Sequence, residues 1–133
     1  MTDDNRAIVR AAFDAFMSDD QSALDDLLAP DCVLHQCGFL EPIRGAEAIR
    51  HRRAGQFLSE RQTHLKQIVA DGDLVAIQWQ TSGLYANAHR PDKLGQPILF
   101  GSMSFMRLDG GKIREIWNIQ DMSTVSAQLG WDD

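Results

Sequence analysis

The sequence predicts an α+β domain in which a curved, cone-shaped antiparallel sheet wraps around N-terminal helices. Three observations carry that reading. Apolar residues recur at helical spacing in the first part of the chain, at Ile8, Val9, Ala12, Phe13, Phe16 and Met17 and again at Leu24, Leu27 and Leu28. Later stretches alternate with strand period instead. Two tight-turn signals, Asp71-Gly72-Asp73 and Asp109-Gly110-Gly111, join those stretches in pairs. An Asp-Gly pair favours a type I′ turn because both central residues need positive φ. Helices followed by an antiparallel meander pack most economically as three helices on one face of a four- or five-stranded sheet.

Taken in order, residues 4–18 read as a first helix with Asp3 or Asp4 as its cap. A second helix is expected from Ser22 to Leu28, stopped by Pro30. A short strand follows over Asp31–Gln36, with Val33 and His35 on one face, and then a loop from Gly38 to Gly45. Ala46–Leu58 reads as a third helix anchored by Ile49 and Phe57, with Arg50, His51, Arg52 and Arg53 as a basic outer run. Thr63–Ala70 and Leu74–Tyr85 form one hairpin, Ile98–Leu108 and Lys112–Asp121 another, with a Pro- and Gly-punctuated loop between them. Met122–Leu129 is a short helix that closes one end of the cone.

At 133 residues the chain is a single domain, residues 1–133, long enough to bury a sizeable core. With 44% hydrophobic residues, disorder is excluded as its general state. A formal charge of −6 disfavours non-specific binding to nucleic acid or an anionic membrane surface. No run of about 18 apolar residues is present to span a bilayer. The acidic start, Met-Thr-Asp-Asp-Asn-Arg, is the reverse of a signal peptide, and a cytoplasmic location is expected. Cys32 and Cys37 lack the Cys-x-x-Cys spacing and read as two reduced thiols. His51, His64 and His89 have no ligand spacing, so no metal is expected.

The last strand concentrates the candidate chemistry. Strand period puts Ile113, Glu115, Trp117, Ile119 and Asp121 on one face, and Lys112, Arg114, Ile116, Asn118 and Gln120 on the other. Asp121 thereby ends a mostly apolar, Trp-bearing face, where a desolvated carboxylate can serve as a general base. It also immediately precedes Met122-Ser-Thr-Val, where a carboxylate caps a helix. Both readings stand at this stage. Glu115 lies six positions away on the same face, about 20 Å along a strand, too far for a two-carboxylate mechanism.

His35 reads either as a pocket-wall histidine or as an acid–base partner. Trp79, Trp117, Tyr85, Phe16 and Ile119 are the candidate pocket lining, with the plain core role of the tryptophans as the competing reading. Arg50–Arg53 is either a solvated helix face or a guide for an anionic substrate. Met103, Phe105 and Met106 make their strand apolar on both sides. Leu99, Met103 and Phe105 then form an outer surface that predicts a homodimer.

The run Asp109-Gly-Gly-Lys-Ile-Arg-Glu-Ile-Trp-Asn-Ile-Gln-Asp121, followed by Gln128-Leu-Gly130, resembles the C-terminal signature of SnoaL-like polyketide cyclases, within the superfamily resembling nuclear transport factor 2. His35 matches a first-strand histidine and Gly45 the glycine opening the third helix. The resemblance implies the cone-shaped α+β barrel of that superfamily. It also implies cofactor-free intramolecular aldol chemistry on a small hydrophobic carbonyl compound, with Asp121 moving the proton. Donors for the enolate oxygen would come from His35, Tyr85 and Trp79. One departure stands out: Thr81 is followed by Ser82-Gly83, where the family commonly has Thr-His.

Three classes follow. The first is a cyclase or isomerase using Asp121. The second is a non-catalytic binder of a small hydrophobic ligand. The third is a dehydratase or epoxide hydrolase, disfavoured because no Arg-x-Asp pair falls on an inward strand and the strand histidine is missing.

Overall fold

A computed structural model describes residues 2–18, 20–38, 40–51 and 57–130. The elements run α1 (Thr2–Phe16), α2 (Leu24–Leu27), β1 (Leu28–Gln36), β2 (Ile43–Arg44), α3 (Ala46–His51), β3 (Leu58–Asp71), β4 (Leu74–Tyr85), β5 (Pro97–Asp109), β6 (Lys112–Gln120) and α4 (Met122–Leu129), with a single 3-10 turn at Pro91–Lys93. The α+β class holds, with two differences. All six strands form one sheet in the order β2-β1-β6-β5-β4-β3. β1 runs parallel to β6, so the sheet is mixed rather than wholly antiparallel, and β2 and β3 are left as open edges instead of closing a barrel.

Local differences have local causes. The second helix shrinks to one turn because Leu28 already pairs with Ile113 in the sheet. Pro30 sits exposed inside β1, where the ladder to β6 is interrupted between Leu28 and Val33. A residue without an N–H is tolerated at such a break. The expected loop after β1 contains the two-residue strand β2, which pairs with Val33 and Leu34. α3 starts at Ala46 as expected, but Leu58 belongs to β3. Arg52 and Arg53 of the basic run lie outside the described residues.

α1 lays Val9, Ala12, Phe13 and Ala15 on the inner face of the sheet, and Phe13 meets Trp79 edge-on with ring centroids 5.6 Å apart. The main core also takes in Leu24, Cys32, Leu34, Ile49, Val75, Ile77, Met106, Ile113 and Ile116. A second, smaller cluster joins Leu58, Tyr85, Ile98 and Phe100 to Val125 and Leu129 of α4. The Gln-Leu-Gly ending acquires a physical meaning there. Gln128 donates from Nε2 to the Leu99 carbonyl at 2.7 Å and accepts the Leu99 N–H at 3.0 Å, standing in for a strand neighbour. Leu129 is fully buried, and Gly130 takes the left-handed C-cap conformation at φ 71° that a side chain would strain.

A bulge decides which way β6 faces. Between Arg107 and Leu108 of β5 the partner position on β6 steps from Glu115 to Ile113, leaving Arg114 as an extra residue. Ile113 and Ile116 are consequently both buried. Beyond the bulge Ile116, Asn118 and Gln120 point inward, and Glu115, Trp117 and Ile119 point outward. The unbroken alternation expected from the sequence, with Trp117 and Ile119 sharing a face with Ile113, is corrected accordingly.

Candidate functional site

Asp121 is the N-cap of α4 and is exposed. Its Oδ1 accepts the Thr124 N–H at 3.1 Å and its Oδ2 accepts the Thr124 hydroxyl at 2.5 Å. Those bonds, the hydroxyl's first, hold the carboxyl below the usual carboxylate range. The desolvated setting that would raise it is not what surrounds this side chain.

His35 also stands outside the interior. It pairs across the parallel ladder with Trp117, stacks on that ring with centroids 5.4 Å apart, and its Nε2 lies 2.6 Å from Glu115 Oε2. Ile119, half exposed, continues the same outer surface. Of the predicted lining, Trp79, Tyr85 and Phe16 face inward: Trp79 and Phe16 with the main core, Tyr85 with the second cluster. The structure therefore brings Trp79 and Phe16 together and separates them from His35, Trp117, Ile119 and Asp121. Arg50 of the basic run pairs with Asp25, and His51 lies 3.8 Å from Glu47.

Where the two clusters meet, the inner face carries a lane of neutral polar side chains. Gln36, Thr81, Ser102 and Ser104 are each over nine-tenths buried. Asn118 and Gln120 are partly buried, so the lane opens to solvent at that end. The register explains their meeting, since Ser104 is opposite Asn118, Ser102 opposite both Trp79 and Gln120, and Gln36 opposite Asn118. Ser104 Oγ donates toward the Trp117 carbonyl at 3.1 Å and Asn118 Oδ1 at 3.2 Å, and Asn118 Nδ2 donates to Gln36 Oε1 at 2.9 Å. Ser102 Oγ is buried with no hydrogen-bond partner among the described residues. A buried hydroxyl left unpaired is costly unless something else meets it.

The sequence reading missed this lane. Its signal was present in β5, where Ser102 and Ser104 interrupt an otherwise apolar inward set of Ile98, Phe100, Met106 and Leu108. Asn118 and Gln120 were hidden by the bulge. An open groove of about 810 Å³ at the far end of β3–β5, with Gln62, Ser82, Leu84 and Leu99 in its walls, holds none of the predicted site residues. Among the described residues, no group of three or more His, Cys, Asp or Glu side chains is placed to hold a metal. None of their helices is long and apolar enough to cross a membrane.

The architecture is the ketosteroid isomerase-like α+β fold. A protein of Catenulispora acidiphila described as having that fold is 22% identical, with a TM-score of 0.74 over 92% of each chain. Residues 9–116 match the SnoaL-like domain, and the chain belongs to that family. IdmH of Streptomyces antibioticus, described as a proposed polyketide cyclase, is 28% identical over 95% of this chain and 98% of its own, with a TM-score of 0.78. A proposed SnoaL-like polyketide cyclase of Jannaschia is 16% identical, with a TM-score of 0.81 over 96% of this chain and 92% of that one. No curated protein matches the chain significantly.

Proposed function

We propose that this protein is a cofactor-independent cyclase- or isomerase-type enzyme that takes a small hydrophobic carbonyl compound of polyketide type against the inner face of its sheet. The observation that carries the reading is the neutral polar lane, with its unpartnered Ser102 hydroxyl, set in an otherwise apolar interior. The likeness to a proposed polyketide cyclase supports the substrate class. Closing a ring in a flexible chain of carbonyls requires holding two of its carbons together, and that positioning alone lowers the barrier. Donors aimed at the developing enolate oxygen lower it further. Solvent water at the partly exposed Asn118 and Gln120 end of the lane takes the proton from carbon and returns one to the new alkoxide.

In this reading Asp121 holds the start of α4 and does not take the substrate proton. An exposed carboxylate with a lowered pKa is a weaker base than free aspartate. The test is ring closure of a linear aromatic poly-β-ketone ester, followed by chromatography. The wild type should outpace buffer, Asp121→Asn should retain most of that rate, and Ser102→Ala should lose part of it. Abolished turnover in Asp121→Asn with ligand still bound would return the base role to Asp121.

A second reading, non-catalytic binding in the same lane, is favoured by one observation. Among the described residues, no carboxylate or imidazole occupies an inward position on β1, β4, β5 or β6. Saturable binding of the ester without any acceleration would establish it.

The homodimer is part of the proposal. On the outer face, Val69, Ala76, Phe105, Trp117 and His35 line up across five strands, with Met103 and Ile119 in the next row. Phe105, Met103 and Ile119 are each about half exposed, which supports burial against a second copy. Phe105→Glu should shift the sedimenting species from dimer to monomer; a wild type that sediments as a monomer overturns this part.

A further inference from the structure

The geometry points to the Gln36 side-chain amide as the donor that receives the ligand's carbonyl oxygen, with Asn118 and Ser104 as the residues that hold it in place. The inference rests on the binding reading above and adds the group that selects the ligand.

Gln36 ends β1 on the inner face and is only 8% exposed. Its Oε1 is taken by Asn118 Nδ2, and Asn118 Oδ1 in turn faces the Ser104 hydroxyl. The three groups form a directed chain, Ser104 to Asn118 to Gln36, in which each polarises the next. The chain ends on Gln36 Nε2, an NH₂ group for which the structure provides no protein acceptor among the described residues. Its hydrogens keep some contact with solvent, so a ligand oxygen entering the lane can take one of them in place of water. Two strands away and one row along the lane, the Ser102 hydroxyl is unpartnered as well.

Charge sharpens the ligand class. The inward positions bordering the lane are Trp79, Thr81, Phe100, Ile77 and Ile116, none of them ionisable in the ordinary range. A carboxylate, phosphate or ammonium group seated there would lose its hydration without gaining a counter-charge. An uncharged ketone, lactone or amide oxygen is the acceptor that suits the site. The partly buried Asn118 and Gln120 mark the end from which it enters.

The test compares acetophenone with ethylbenzene, phenylethanol and benzoate, using heat of binding and the carbonyl stretching band. Acetophenone should bind about fivefold to tenfold more tightly than ethylbenzene, as a neutral hydrogen bond warrants. Its carbonyl band should move to lower frequency on binding. Gln36→Leu should remove both the preference and the band shift while leaving ethylbenzene affinity in place, a control for folding. Asn118→Leu should retain part of the preference with a broadened band.

On the wild type alone, the Gln36 side-chain N–H resonances should move with acetophenone and stay still with ethylbenzene, so the inference does not depend on a variant that folds. Equal binding of acetophenone and ethylbenzene, or an unmoved band in Gln36→Leu relative to wild type, overturns the Gln36 assignment and leaves the binding reading intact. Tightest binding of phenylethanol would mean the chain ends on an acceptor, and of benzoate that the lane holds an anion; either overturns it. If no probe binds, the binding reading falls and the Gln36 assignment with it.

Discussion

Trp117 and Asn118 are adjacent in the chain and live in different chemistry. Asn118 joins a hydrogen-bonded lane inside the sheet, whereas Trp117 stacks on His35 outside it. The same contrast runs along β5, where Ser102 and Ser104 face in while Met103 and Phe105 face out half exposed. Over the segments Ser102–Phe105 and Trp117–Gln120 the polar groups are inside and the large apolar ones outside, the reverse of what simple patterning leads one to expect of a half-buried strand, although the rest of each inner face is apolar. A core that is merely to be stable has no need of that inversion. The proposed ligand on one face and second copy on the other would account for it.

The widest expected difference between inside and outside concerns the two thiols. Cys32 is fully buried, and desolvation, with Asp31 adding to it, pushes its thiol from 9.0 up to about 12. That rise cuts the thiolate fraction about 10³-fold near neutral pH. Iodoacetamide should therefore modify the exposed Cys37 first and Cys32 at least ~10³ times more slowly, with denaturant abolishing the difference. Because the folded pKa lies above the unfolded one, the protonated thiol's contribution to stability is complete below about pH 9 and is lost as the pH rises toward 12. Rapid native labelling of Cys32 would place β1 the other way round.

The two isoleucines of β6 test the bulge. Ile116→Ala, at a buried position in the main core, should cost about 2–5 kcal/mol in denaturant unfolding. Ile119→Ala should cost less than about 0.5 kcal/mol when both are measured in a Phe105→Glu background, chosen to suppress the proposed self-association. The opposite ranking would restore the unbroken alternation read from the sequence.

The smallest effect belongs to Asp121. Asn is as good an N-cap as Asp, so Asp121→Asn should leave the thermal midpoint nearly unchanged, and Asp121→Ala should lower it by a few degrees. Its folded pKa is depressed, so its contribution is present above the ordinary carboxylate range and is lost as the pH falls through and below it. An equal loss in both variants would show that the negative charge matters, not the cap.

Much of the fold was legible because local chemistry specified it. β4 and α4 occupy the expected residues, and Gly72, Gly110 and Gly111 take the positive φ that their turns require. The helical stripe of α1 meets the sheet through the expected Val9, Ala12 and Phe13. The site was less legible. Asp121 and His35 were singled out as residue types able to do acid–base chemistry, yet type alone does not say which side of a sheet a residue occupies. Gln36, Asn118, Ser102 and Ser104 drew no notice because neutral polar residues in a strand normally face water.

The sequence by itself determined most of the elements, though not β2 or the start of β3, together with the two Asp-Gly hairpins, the helical cap at Asp121 and the large apolar surplus on β5, since each rests on neighbours within a few positions. Only the tertiary structure decided that β1 runs parallel to β6, that Arg114 is an extra residue, and that a lane of amides and hydroxyls lies inside with Trp117 outside. The physical reason is the two-residue period of a strand. One bulged residue exchanges inside for outside for every side chain beyond it, and the pairing that creates the bulge joins parts of the chain that sequence reading takes one at a time.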